Sequence, residues 1–223
     1  MKKISSESLL GKAQSEIREL LLECKKLQNL HPVDLQKTTG PGKWSIAQVL
    51  EHLNIYARFY IAAIEKQLDH HQTSAKEFFK PGWLGNYFTN LMKPDEQNKI
   101  RKKMKSPANA IPSAQPDVEK ELNEFINHQH HLLNLLQIAG SANLESIRVP
   151  ISLTKLIKLK LGDTFRFVIA HEQRHFVQIA NLLSANSNER NRQAARPESG
   201  KLSNETATLL FVLAFMKKDF IKS

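Results

Sequence analysis

Nine histidines stand out in this 223-residue sequence, and three of them fall where apolar residues belong. His171 and His175 lie in the segment HEQRHFVQI. A spacing of four sets two imidazoles one turn apart on the same face of a helix. Val168, Ile179 and Leu182 recur on that face at helical spacing, so it is the face that should be buried. Two imidazoles there cost free energy unless each finds a partner. One divalent ion satisfies both at once, and H-x-x-x-H suits a tetrahedral or octahedral metal. His52, in VLEHLNIY, shares a face with Val49, Tyr56 and Phe59 and is a third candidate ligand. If the helices carrying these residues are neighbours, three neutral imidazoles meet and leave positions open for water or substrate. The competing reading is three unrelated histidines, each satisfied by a local hydrogen bond.

HEQRH also matches the H-E-x-x-H pattern of zinc proteases, in which the Glu is a general base and a third ligand follows downstream. No histidine follows His175, and the nearest acidic residue after it is Glu189. Helical surroundings with no substrate-edge strand argue further against a protease. Glu172 follows His171 directly and so points about 100° away from it, which favours a surface or helix-packing role. Arg174 reads as a solvated cation, with an anionic cofactor as its other use. His128, His130 and His131 read as the solvent side of their helix, with an inward-facing His128 or His131 as the alternative. His31 sits in a turn before Pro32, and His70 and His71 end a helix, where the dipole favours a cation.

The elements that must position these residues follow from periodicity. A first helix is expected from about Ser5 to Leu30, with Leu10, Ala13, Ile17, Leu20, Cys24 and Leu27 as its stripe. A second opens at Ser45, whose capping box is completed by Gln48, and runs to about Leu68. A third follows Pro116, with Val118, Leu122, Phe125, Leu132 and Leu136 on one face and Gly140 as its stop. A fourth follows Gly162, with Asp163 as N-cap, and ends near Ser184 to Asn186. The connection 71–116 is too apolar at Trp83, Leu84, Tyr87, Phe88 and Leu91 for a free linker. It reads as an excursion packed on the helices, with a short helix at Trp83–Met92. The connection 141–161 is either extended or one short helix. This pattern predicts an all-α four-helix bundle with long connecting segments, residues 1–186, followed by a linker and C-terminal extension, 187–223. Within that extension, Thr206 to Phe220 has the pattern of a short amphipathic helix.

Composition narrows the function classes. Lys plus Arg is 32 and Asp plus Glu is 22, giving a net charge of +10. Basic residues cluster at Lys93, Lys99, Arg101, Lys102, Lys103 and Lys105, and again at Lys155, Lys158 and Lys160. No nucleic-acid motif or aromatic stacking platform accompanies them, so a nucleic-acid partner is not expected. The longest apolar run, Leu209 to Met216, is eight residues. A membrane span needs about 20. One cysteine, Cys24, excludes an intramolecular disulfide or a Cys-based zinc finger; it fits a reducing cytoplasm, and its place in an apolar stripe reads as core.

Three segments carry a resemblance. GKWSIAQVLEHL resembles the "W-S … H-L" opening of the second helix in the DinB-like superfamily, the DinB/YfiT-like metalloenzymes. KMKSPANAIPS is similar to a connector of some members, and LGDTFRFVIAHEQRHFVQI resembles their closing helix with its H-x-x-x-H-x-x-Q pattern. The resemblance implies a four-helix bundle with a three-histidine site for nickel or zinc, its ligand positions matching His52, His171 and His175. Gln178 matches the following Gln, a packing residue or a support behind a ligand. Some members are S-transferases that use low-molecular-weight thiols, others resemble metal-dependent hydrolases, and homodimers occur. The implied function is a metal-dependent enzyme acting on a small molecule, activating a thiol or water. A non-catalytic metal- or small-molecule-binding stress-response module is the alternative.

Overall fold

The computed structural model describes residues 2–100, 102 and 104–194. The C-terminal extension from residue 195 on, with the amphipathic segment Thr206 to Phe220, lies outside the described residues. Met1–Asn186 forms the compact unit that carries the histidines. Among the described residues the fold is all-α in character, with six helices and two small antiparallel strand pairs. It is therefore more elaborate than four helices alone.

Four helices are long: α1 (Ser6–Gln28), α3 (Ile46–Asp69), α5 (Val118–Ile138) and α6 (Leu161–Ala194). Two are short: α2 (Pro32–Gln36) and α4 (Trp83–Met92). Ser5 caps α1 by accepting from the Ser8 N–H, and the Ser45–Gln48 capping box opens α3 as its sequence requires. Residues Leu10, Ala13, Ile17, Leu20, Cys24 and Leu27 of α1 are all buried. Burial of a Leu or Ile is worth roughly 1.5–3 kcal/mol each. The exposed Lys12–Glu16 pair on the same helix, at 3.9 Å, is worth about 1 kcal/mol at most. The stripe therefore sets the orientation of α1, and the surface pair does not.

The buried apolar residues form two clusters. One holds Leu9 to Ile17, Ala57 to Leu68, Leu132 to Leu136 and Phe165 to Ile169. The other holds Leu20 to Leu27, Ile46 to Leu53, Val118 to Phe125 and Phe176 to Leu182. Each of the long helices contributes to both. Buried polar residues sit where one cluster gives way to the other: His52 and Asn54 on α3, Gln129 on α5, and His171, Glu172 and His175 on α6. Asn54 is bound from both sides. Its amide donates to the Glu121 carbonyl and carboxylate, each at 2.8 Å, and its oxygen faces His128 Nδ1 at 3.0 Å. Arg58 adds a two-pronged bond to Glu124 at 2.6 and 2.7 Å. These contacts fix α3 against α5 at the level of His52.

Several expectations need correction. The last helix does not stop near Ser184 to Asn186; it continues to Ala194. Residues 187–194 contain no Gly or Pro, and Glu, Arg, Gln and Ala are good helix formers, so nothing local ends it there. Asp163 is not the N-cap of that helix, which begins at Leu161. Its carboxylate accepts instead from the Gly82 N–H at 2.7 Å, at the start of α4, and from Arg166 at 3.0 Å. The connection 141–161 is extended: β3 (Arg148–Ile151) pairs with β4 (Thr154–Lys160), with Val149 opposite Leu159. Pro150 suits such an edge strand and would interrupt a helix. A second pair joins β1 (Ile4–Ser5) to β2 (Phe78–Phe79) and pins the chain start to the long connection. Helix α4 forms at Trp83–Met92 as expected, but Trp83 and Tyr87 face outward; Gly85 and Thr89 are its buried side.

Gly85 sits against Asp163 so closely that an added Cβ would lie 2.4 Å from the Asp163 Cβ. Gly85→Ala should therefore lower stability by about 1–3 kcal/mol, read as a fall in Tm, because α4 must lift from the start of α6. Cys24 is fully buried, and burial pushes its thiol up to about 12. In native protein at pH 8 it should resist alkylation by iodoacetamide, and it should react promptly once the chain is unfolded in denaturant.

Candidate metal centre

Helices α3 and α6 bring His52, His171 and His175 together. One ring nitrogen from each lies within 4.8 Å of the others. The Nε2 atoms of His52 and His171 are 3.4 Å apart. Two imidazole nitrogens bound tetrahedrally at 2.0–2.1 Å from one ion are roughly 3.3 Å apart, so this pair is already at ligand spacing. All three side chains are buried. His52 is well inside the buried face of α3.

The outward nitrogens of two rings are tied down. His52 Nδ1 donates to the Ala110 carbonyl at 2.7 Å. His175 Nδ1 donates to Gln178 Oε1 at 3.0 Å. Each bond places the proton on Nδ1 and leaves the Nε2 lone pair for an ion, the usual arrangement behind a metal-bound histidine. Ala110 belongs to a short 3-10 turn, Ala108–Ala110, of the long connection. Burial is the main force that lowers all three basicities. His171 falls well below its ordinary value, with His175, His52 and Arg174 adding to the effect. Burial takes His175 to about 3 against the opposing Gln178 bond, and it lowers His52 against the opposing Ala110 carbonyl. At neutral pH the cluster is three uncharged donors, the form that binds metal.

Aromatic rings wall the cluster. Tyr56 lies 4.5 Å from the His171 ring, Trp44 lies 5.0 Å from His52, and Phe167 stacks parallel to His171 at 6.2 Å. A cavity of about 250 Å³ opens over the histidines. Its far walls are Phe88, Leu91 and Met92 of α4, and Ile151, Ser152 and Leu159 of the hairpin. The Ser152 N–H donates to the Tyr60 hydroxyl at 3.2 Å, which fastens the hairpin to α3.

The family assignment rests on the sequence model of the DinB superfamily, which matches residues 15–179, more than half of the chain and all three histidines. The chain belongs to the DinB superfamily. No curated protein and no solved structure matches it. For a DinB-superfamily protein, the histidine cluster is a set able to hold a divalent ion. Among the described residues, no helix is long and apolar enough to cross a membrane.

Other sequence expectations divide. Glu172 packs between helices: it is buried, and Gln129 Nε2 on α5 donates to its Oε1 at 2.9 Å. Burial pushes its carboxyl up to about 8 against that bond, so the acid is mostly neutral at pH 7. It turns away from the histidine nitrogens, as its place beside His171 requires. Arg174 is not solvated. It is 8 % exposed, lines the cavity, and donates from Nη2 to the Lys102 carbonyl. Its position three residues past His171, on nearly the same face, was the available signal. His128 and His131 are partly sheltered, facing Asn54 and Glu65, while His130 is exposed. The Ala110 carbonyl had no signal in residue type, because any residue supplies it.

The Glu172–Gln129 bond predicts a graded mutational result. Glu172→Gln keeps the shape and an acceptor without a buried charge, and should change stability by less than about 1 kcal/mol. Glu172→Ala strands the Gln129 amide and should cost about 1–3 kcal/mol, measured by urea denaturation.

Proposed function

We propose that residues 1–186 are a four-helix-bundle metalloenzyme domain in which His52, His171 and His175 hold nickel or zinc for chemistry on a small molecule in the cytoplasm. The observation that supports this most is the convergence of three buried, uncharged imidazoles, two of which have their outer nitrogens fixed, by Ala110 and by Gln178. Unrelated core histidines satisfied by local bonds have no reason to aim their remaining lone pairs at one point. A bound divalent ion supplies Lewis-acid chemistry, lowering the pKa of a thiol or water.

The residues of the chain do the rest. The Ala110 carbonyl holds the His52 ring in its tautomer and orientation. Gln178 does the same for His175 and so acts behind the ligand. Tyr56 and Phe167 exclude bulk water beside His171, and the cavity holds an electrophilic substrate over the open side of the cluster. The reaction class that fits is transfer of a low-molecular-weight thiol to that electrophile, or its hydrolysis.

Metal quantification of purified protein tests this reading. Wild type should retain about one equivalent of nickel or zinc after saturation and gel filtration, and His171→Ala should retain far less. Gln178→Ala should weaken affinity by roughly 10–100-fold with the helical spectrum unchanged. Equal, negligible metal in wild type and His171→Ala would overturn the metal centre. A metal-loaded protein that turns over no thiol or hydrolytic substrate would leave the non-catalytic binding module in its place.

A further inference from the structure

Among the described residues, Arg174 is a buried cation without an acidic partner. Its guanidinium carries five N–H donors. Among the described residues it makes one hydrogen bond, to the Lys102 carbonyl, and no ion pair. A carbonyl neutralises no charge, and a sheltered cation gains from an anionic partner. The side chain lines the cavity over the histidines. No Asp or Glu lines that cavity among the described residues, and Lys105 adds a second cation at its edge. Apart from the histidines, Tyr56, Tyr60, Ser106 and Ser152, the rest of the lining is apolar, with Phe88, Leu91, Met92, Leu159 and Phe167 among it. Helix geometry puts Arg174 beside the cluster: residues 171, 174, 175 and 178 recur at spacings of three, one and three along one side of α6.

We propose that this cavity selects a compact carboxylate with an apolar body, its charged end on Arg174 and its body against the aromatic and aliphatic walls. This deepens the reading above and rests on it for the bound molecule being a substrate. A carboxylate can take two parallel N–H bonds from one guanidinium, which a neutral isostere cannot match. The volume of about 250 Å³ suits a molecule of one ring and a short chain. The arrangement then holds the carboxylate at one end of the cavity and leaves the rest of the molecule over the open side of the histidines.

Matched probes test it by calorimetry on the full chain, as purified and again after removal of metal by a chelator. The probes are hydrocinnamate and its neutral amide, hydrocinnamamide. Wild type should bind the carboxylate at least tenfold more tightly than the amide in both states. Arg174→Gln should abolish that preference while its metal content stays at the wild-type level, and Arg174→Lys, which keeps the charge but loses the fork, should retain part of it. No preference in wild type, or a preference undiminished in Arg174→Gln, would overturn the anion subsite. If Arg174→Gln fails to fold, the Arg174→Lys comparison decides: an unchanged preference overturns the subsite and a reduced one supports it. A preference that persists in a protein that binds no metal would uphold the subsite and remove only the metal centre.

Discussion

The structure depends on a layer of buried polar groups set between two apolar clusters. His52, Asn54, Gln129, His171, Glu172 and His175 occupy the level at which each helix passes from one cluster to the other. Apolar burial alone would be served better by Leu or Ile at every one of these positions. Most of these groups are bonded, Gln129 Oε1 and Glu172 Oε2 being exceptions, and each bond fixes a neighbour. Asn54 holds α5 through Glu121, Gln129 holds α6 through Glu172, and Ala110 holds the long connection to α3 through His52. The same demand that makes this layer costly makes it rigid, and rigidity is what a ligand set requires.

The connections outside the long helices complete the site instead of merely joining its parts. The 71–116 segment supplies the Ala110 carbonyl behind a histidine and the α4 wall of the cavity. Its anchor is the close fit of Gly85 on Asp163, which ties that wall to the start of α6. The hairpin supplies another wall and is fastened by Tyr60. Electrostatics over the cluster has one sign, set by Arg174 and Lys105 and by the lack of a carboxylate in the described lining. The net charge of +10 is spread over the chain, but this cavity is where a buried part of it faces a ligand-sized space.

The long helices were legible because their stripes repeat, and α4 was legible from its apolar run between Gly82 and Lys93. The hairpin was less so: VPISLTKLIKLK carries both alternation and a helix-compatible pattern, and only pairing of Val149 with Leu159 selects the strand form. Asp163 shows the limit of local rules. It has the residue type and place of an N-cap, yet Gly82 offers it an N–H from a distant segment. Arg174 shows the same limit for charge, since an arginine is expected in water unless the tertiary fold closes over it.

The sequence by itself determined the family, the main helices, and the three histidines as a candidate set, because helical period and ligand spacing are properties of neighbours along the chain. Only the tertiary structure decided that His52 meets the other two, that Ala110 and Gln178 fix ring tautomers, and that Arg174 lines the cavity with no acidic partner among the described residues. Those are relations between residues far apart in sequence, set by how apolar stripes pack and by which buried polar atoms must find one another.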